Sequence, residues 1–327
     1  MMQNNGTVLI TGAAGFIGSF LVQRFLGSGY EVIGIDNINS YYDTNLKKDR
    51  INNLKKSKKF SFYKIDLSNY KKLNDIVKKN KINIIIHLAA QAGVRYSIKY
   101  PRTYFKSNLE GFFNILEISK DNKIKHLIYA STSSVYGDSN KFPLKENDRT
   151  DQPLSFYAAT KKSNEVMAYS YSYIYKLPCT GVRFFTVYGP FGRPDMALFK
   201  FTKNIINNHS VELFNNGKHL RDFTYVDDIV DGIYSLINKQ SNKTTPYEIF
   251  NIGNGTSKKL LDYLKYIEKS LKKISKTKKL PLQVGDVVKT HSDINKLKKY
   301  IGYRPKTNIK IGIEKFIEWY KDYYKVN

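Results

Sequence analysis

Cysteine is nearly missing from this chain: one residue, Cys179, among 327. A single thiol excludes an internal disulfide framework and suits a reducing compartment. Histidine is sparse as well, five residues with no clustering, so no metal-ligand spacing is visible and no metal is expected. No apolar run approaches the ~20 residues of a membrane span. The opening Met1-Met2-Gln3-Asn4-Asn5-Gly6 lacks the basic n-region of a secretion signal. These features predict a cytoplasmic protein with no membrane insertion. Internal repeats and low-complexity linkers are also lacking, and the length suits one large or two modest domains with a substantial core.

Acidic residues are in short supply: 28 Asp and Glu against 54 Lys and Arg, a net charge of +26. Such a balance attracts polyanions. Here, however, Lys is enriched together with Asn, Ile, Tyr and Phe, as a coding bias towards A/T-rich codons would produce. The lysines are dispersed in pairs such as Lys55-Lys56, Lys78-Lys79, Lys272-Lys273 and Lys298-Lys299, with no Arg-rich cluster or nucleic-acid module. No nucleic-acid partner is predicted, and an anionic small substrate accounts for whatever part of the charge is functional.

What is present begins with Thr7-Val8-Leu9-Ile10, a buried strand by its apolar, β-branched character. Gly12-Ala13-Ala14-Gly15-Phe16-Ile17-Gly18 follows at once, and an amphipathic helix continues through Leu21, Val22, Phe25 and Leu26. Gly12, Gly15 and Gly18 at a strand-to-helix turn let the backbone approach a pyrophosphate, whose charge rests on the helix N-terminus with Phe16 and Ile17 alongside. The next strand, Glu31 to Ile35, ends in Asp36-Asn37. An acid at that spacing accepts hydrogen bonds from an adenosine ribose and repels a 2′-phosphate, which predicts NAD rather than NADP.

Residues 41–59 read as a polar loop and short helix, and Phe60 to Ile65 as a third strand ending at Asp66-Leu67, by the adenine edge. A fourth strand runs from Ile82 to Leu88-Ala89-Ala90. His87 within it is expected to be a packed core histidine, and the small Ala89 and Ala90, with Gln91, let the chain pass close to a cofactor. Alternating strands and helices imply a doubly wound parallel sheet, with its ligand beyond the strand C-termini. A fifth strand, Lys125 to Ala130, leads into Ser131-Thr132-Ser133-Ser134, hydroxyls able to hold a sugar oxygen. The helix pattern of Ser155 to Lys162 then places Tyr157 and Lys161 one turn apart on one face. A phenol is a weak base near neutrality, and a nearby ammonium favours its ionised form. The pair is suited to moving a hydroxyl proton.

The ordered set Gly12/Gly15/Gly18, Asp36, Leu88-Ala89-Ala90, Thr132, Tyr157 and Lys161 resembles the extended short-chain dehydrogenase/reductase superfamily over essentially the whole chain. That resemblance implies a Rossmann-type sheet over residues 1–185, with segments near 221–253 returning to it, and a smaller C-terminal α/β substrate domain over 186–327. It also implies that Asn108 lies on the nicotinamide side of the cofactor. The stretch Arg183 to Ala197 closely resembles the UDP-glucuronate 4-epimerases, with Thr186 where UDP-glucose epimerases and UDP-glucuronate decarboxylases usually carry Asn. The resemblance implies a UDP-glucuronate/UDP-galacturonate substrate held by Thr186, Arg193, Arg95 and the Thr132-Ser133-Ser134 shelf. Arg221 would clamp the diphosphate, and Asp286 would meet the uridine ribose. The helix read over Ala197 to Ile206 would flank the nucleotide. Tyr247 to Gly253 reads as a late strand returning to the assembly, and Lys269 to Lys279 as a solvated helix face and loop. The family also implies a homodimer through helices around Thr103–Ser119 and Ala158–Tyr175. Alternatives at this stage are epimerisation of UDP-glucose or UDP-N-acetylglucosamine, decarboxylation of UDP-glucuronate, and a non-catalytic NAD-sensing regulator on the same fold.

Overall fold

The computed structural model describes residues 6–326. The first half alternates strand and helix: β1 Thr7–Thr11, α1 Phe16–Gly27, β2 Glu31–Asp36, α2 Thr44–Leu54, β3 Phe60–Lys64, α3 Tyr70–Lys79 and β4 Ile84–His87. Two short helices, α4 Val94–Lys99 and α5 Pro101–Tyr104, lead through a π-helical segment, Phe105–Glu110, into α6 Gly111–Asp121. Then come β5 His126–Thr132, α7 Phe156–Tyr175 and β6 Cys179–Phe184. The second half contributes β7 Thr186–Tyr188, α8 Ala197–Ile206, β8 Val211–Leu213, β9 Leu220–Arg221, β10 Phe223–Tyr225, α9 Val226–Leu236 and β11 Tyr247–Ile252. It ends with β12 Lys258–Lys259, α10 Leu260–Leu271, β13 Thr277–Lys279, α11 Asn295–Ile301 and α12 Ile309–Tyr324.

Seven strands form one sheet in the order β11-β6-β5-β4-β1-β2-β3, every pair parallel. The strands are short and apolar because helices cover both faces. Val8, Ile10 and Val32 share a core with Leu21, Val22 and Phe25 of α1 and Ile229 and Ile233 of α9. Leu9, Ile33 and Ile35 share another with Leu73 and Val77 of α3 and Ile115 and Leu116 of α6. The chain leaves β3 at one edge and re-enters as β4 on the far side of β1, so a crevice opens above β1 and β4 where strand order reverses. Side-chain caps set several helix starts: Asp43 accepts from Asn45 N at α2 and Ser155 from Ala158 N at α7. The second cap fixes the turn that presents Tyr157.

The smaller lobe packs three two-stranded pairs, β10-β7, β12-β9 and β13-β8, against α8, α10 and α12. Elements depart from the sequence expectation in places: β5 runs on through Ser131 and Thr132 rather than ending at Ala130. β4 stops at His87 rather than running to Ala90: Leu88 N makes the last ladder bond, to Thr11 O at 3.2 Å, and Ala89 N then turns to the Thr11 side chain, at 3.2 Å from Oγ1. Residues 277–279, expected in a loop, form the exposed strand β13 through parallel pairing with β8. Among the described residues no helix is long and apolar enough to cross a membrane.

Candidate active site

A cleft of about 840 Å³ runs over the C-terminal ends of the sheet and into the smaller lobe. Its floor is the glycine loop. Gly12 adopts φ +74°, and a Cβ there would lie 2.8 Å from Ala89 N. A Cβ on Gly18 would lie 2.0 Å from Gly12 O. Neither position admits a side chain, so the first turn of α1 stays bare and close to the crevice, as a pyrophosphate requires. Asp36 closes the adjoining edge: its Oδ2 accepts from Ala14 N at 3.2 Å and its Oδ1 from Ile38 N at 2.8 Å. Burial pushes its carboxyl up, against those bonds and the nearby Lys47. Asn37 Nδ2 donates to Asp66 Oδ2 at 2.9 Å. Burial opposes the ionised Asp66, but bonds from Asn37 and Ser68 outweigh it and hold the group below its ordinary value. Leu67, Leu88, Ala89, Ala90 and Gln91 complete this wall, so the residues fit a dinucleotide.

Asn108 does not line the cleft; it sits one layer behind. Its Oδ1 accepts from Gln91 N at 2.7 Å, and its Nδ2 donates to Gln91 O and Thr160 Oγ1, both at 3.0 Å. Asn164 Nδ2 donates to its carbonyl at 2.8 Å. The π-helical register around Asn108 thus pins the Gln91 loop against α7. His87 is buried with Nδ1 2.9 Å from Thr11 Oγ1, and burial holds its pKa well below the usual range. It is a core residue, as read from the sequence.

Tyr157, Lys161 and Thr132 line the same cleft. Thr132 ends β5, and its Oγ1 accepts from Ser134 N at 3.2 Å, turning the Ser133 and Ser134 hydroxyls into the crevice. The electrostatics differ from expectation. Burial raises the Tyr157 phenol above its ordinary value, opposed by a hydrogen bond with Thr132 and by the Arg193 charge. Lys161, 1% exposed, is itself drawn down to about 8 by burial, with Glu165 opposing. Desolvation of both groups outweighs the help one was expected to give the other.

Thr186 and Arg193 form the opposite wall, from the smaller lobe. Arg193 is not a free surface cation. Its Nε and Nη2 bind Asp195 Oδ1 and Oδ2 at 3.0 and 2.5 Å, and Tyr41 Oη donates to Asp195 Oδ2 at 3.0 Å. At the far end, Arg221 Nη2 donates to Asp286 Oδ1 at 2.9 Å, and His219 Nε2 lies 3.4 Å from Asp286 Oδ2. Burial opposes the Asp286 charge, yet His219, Arg221 and Arg95 keep its carboxyl below the ordinary value. Arg95 bonds Gln283 and faces the Phe214 ring at 5.5 Å. Every expected site residue except Asn108 therefore borders one cleft.

Sequence reasoning missed Tyr41, Tyr42, Lys47, Phe214, His219 and Gln283, all of which line it. The adjacent Tyr41-Tyr42 in a polar loop was the available signal, since two large rings in a loop need something to pack on. Among the described residues no cluster suited to a metal ion is found.

The family model for the NAD dependent epimerase/dehydratase family matches residues 8–253. A Staphylococcus aureus relative, Protein CapI, is 48% identical over 97% of this chain and 99% of its own length. UDP-glucuronate 4-epimerase 4 of Arabidopsis thaliana is 43% identical over 98% of this chain and 77% of its own. Among solved structures, the UDP-glucuronic acid 4-epimerase of Bacillus cereus, in complex with UDP-glucuronic acid and NAD, superposes with a TM-score of 0.92 at 34% identity, covering 97% of this chain and all of that one. The chain belongs to the NAD dependent epimerase/dehydratase family.

Proposed function

We propose that this protein catalyses the NAD-dependent C4 epimerisation of UDP-glucuronate to UDP-galacturonate through a 4-keto sugar. The observation that carries the reading is the single cleft in which Thr132, Tyr157 and Lys161 stand between the glycine loop and Thr186. Gly12, Gly15, Gly18, Asp36 and Asp66 would hold NAD, which would supply reversible hydride transfer at sugar C4. Tyr157 accepts the C4 hydroxyl proton at its phenolic oxygen and later gives it back. Lys161 supports the phenolate, and Thr132 holds the reacting oxygen. The sugar exposes its other face by turning about its phosphate linkage, held meanwhile by Arg221 at the diphosphate and Asp286 at the ribose. A ketone at C4 with a carboxylate on C5 is a β-keto acid and loses carbon dioxide readily, so the carboxylate must be fixed. Thr186, Ser133 and Ser134 offer uncharged donors, and Arg193, already shared with Asp195, offers a charge-assisted one.

UDP-glucuronate is therefore expected to be strongly preferred over UDP-glucose. Arg193→Ala should damage turnover of the acid far more than residual turnover of the neutral sugar, and Thr186→Asn should release a UDP-pentose by-product. Product mass and sugar stereochemistry decide. Comparable wild-type rates on the two sugars, or a UDP-pentose as main product, would replace this reading with a neutral-sugar epimerase or a decarboxylase. No turnover by a well-folded, NAD-loaded protein would point to the regulator.

Purified protein should retain NAD(H), with NADPH binding much more weakly because the Asp36 carboxylate repels a 2′-phosphate. The neighbouring cation does not offset it, since Lys47 Nζ is turned to Asn39 O and Oδ1 at 2.8 and 2.7 Å. Acid release and chromatography of the bound dinucleotide check this, and recovery of mainly NADP(H) refutes it.

A homodimer is the assembly we infer. α7 exposes Val166, Tyr169, Tyr173 and Ile174, and Phe105 and Phe113 stand exposed on the adjoining segment and α6, an apolar face of the kind that two copies cover. The buried, unpaired Cys179 supports a cytoplasmic setting.

A further inference from the structure

One buried cation has no part in the chemistry above. Arg50 lies on α2, 3% exposed, and its guanidinium binds only uncharged oxygens. Nη1 donates to Ala14 O and to Tyr42 Oη, each at 2.8 Å, and Nη2 donates to Phe191 O at 2.5 Å. Ala14 belongs to the glycine loop. Phe191 belongs to the loop that carries Arg193 and runs directly into α8, whose Ala197 and Lys200 line the cleft. One planar fork thus joins the wall of the dinucleotide pocket to the wall of the sugar pocket.

The far anchor is held in an unusual way. Phe191 adopts φ 55°, a left-handed conformation that a bulky residue keeps only when its surroundings over-determine it. Its ring packs on Trp319 at 4.8 Å and on Tyr323 at 5.7 Å, both from α12. The Tyr323 hydroxyl in turn bonds Asp49, next to Arg50. With the ring fixed on that side, the Phe191 carbonyl points at the guanidinium.

We propose that Arg50 is a positioning residue that couples the two binding sites: a glycine loop set by a dinucleotide sets, through the Arg50 fork, the loop that presents Arg193 and starts α8. Dinucleotide and uridine nucleotide then each tighten the binding of the other by the same factor, as linkage requires. The inference rests on the reading of the cleft as a site for NAD and a UDP-sugar.

The test needs no turnover. Full-length protein freed of dinucleotide is titrated calorimetrically with NAD, without and with saturating UDP, as wild type, Arg50→Met, Arg50→Lys and Tyr323→Phe. Wild type should bind NAD about tenfold more tightly with UDP present, within the usual range for coupled sites. In Arg50→Met the factor should fall below about twofold with both ligands still binding. Arg50→Lys should behave alike, since a point-charge ammonium does not span two carbonyls as the fork does; it carries the test if Arg50→Met does not fold. Tyr323→Phe cuts only the Asp49 contact in the same seam, and should lower the thermal midpoint while keeping the coupling. An unchanged factor in both Arg50 variants, or no coupling in the wild type, overturns the proposal. Failure of the wild type to bind NAD or UDP at all would overturn the functional reading instead.

Discussion

Tyr157→Phe is expected to lower turnover of UDP-glucuronate by roughly two to four orders of magnitude, the usual contribution of a positioned general base. The substitution removes one oxygen from a half-buried ring whose edge meets Tyr104 at a centroid distance of 6.1 Å, so the packing survives. Dinucleotide content should therefore stay normal while the rate collapses. Because burial holds the free phenol above its ordinary value, kcat/KM of the wild type should climb on the alkaline side, where the base forms. Initial rates across pH, with NAD content measured on the same samples, check both points. A variant with near-normal turnover would show that another group moves the proton.

Lys161→Met separates activity from stability. Turnover should again drop, by about two orders of magnitude or more, yet the ligand-free fold should become more stable near neutrality. A charged Lys161 in the native state lacks water, and its folded pKa is drawn from 10.5 to about 8. Below about 8 both states hold the proton and the full penalty is present. Between about 8 and 10.5 the unfolded chain keeps a proton that the native chain has released, so wild-type stability rises with pH through that window. At about 1.4 kcal/mol per pH unit, the gain from about pH 7 to about pH 9.5 is on the order of 2 kcal/mol, and the Met variant should lack it. Urea unfolding of both proteins at the two pH values measures the difference. Equal pH dependence would mean that Lys161 is hydrated in the folded chain.

The first half of the fold was readable because β1, β2 and β3 are short strands closed by Gly12, Asp36 and Asp66, and β4 is a strongly apolar run. Ala197–Ile206 appears as a helix with the bounds read from its pattern. Gly12, Gly15, Asp36, Thr132 and Tyr157 were readable because each sits at or beside a strand end or a helix start, where spacing carries meaning, whereas Thr186, Arg193, Arg221 and Asp286 came only with the family resemblance. What escaped was whatever depends on burial of charge. Lys47 and Arg50 are both at most 5% exposed, but in a stretch rich in Lys, Asn and Asp they look like any solvated cations. Arg193 was legible as a binding residue, yet its pairing with Asp195 depends on a turn that the one intervening residue, Pro194, does not specify. The π-helical segment at Phe105–Glu110 breaks the helical period, so nothing in the pattern announced that Asn108 would face inwards.

The edge strand β11 has a consequence for how the protein is made. It pairs with β6 from Tyr247↔Cys179 to Ile252↔Phe184, yet the segments that build most of the smaller lobe's cleft wall lie between the two strands in sequence. During synthesis the open side of β6 must wait, its ladder groups uncovered, until that whole excursion has left the ribosome. The nascent sheet is therefore most exposed to sticking to its neighbours late in translation. Chaperone demand should track the rate of elongation through the smaller lobe more closely than the rate through the glycine loop.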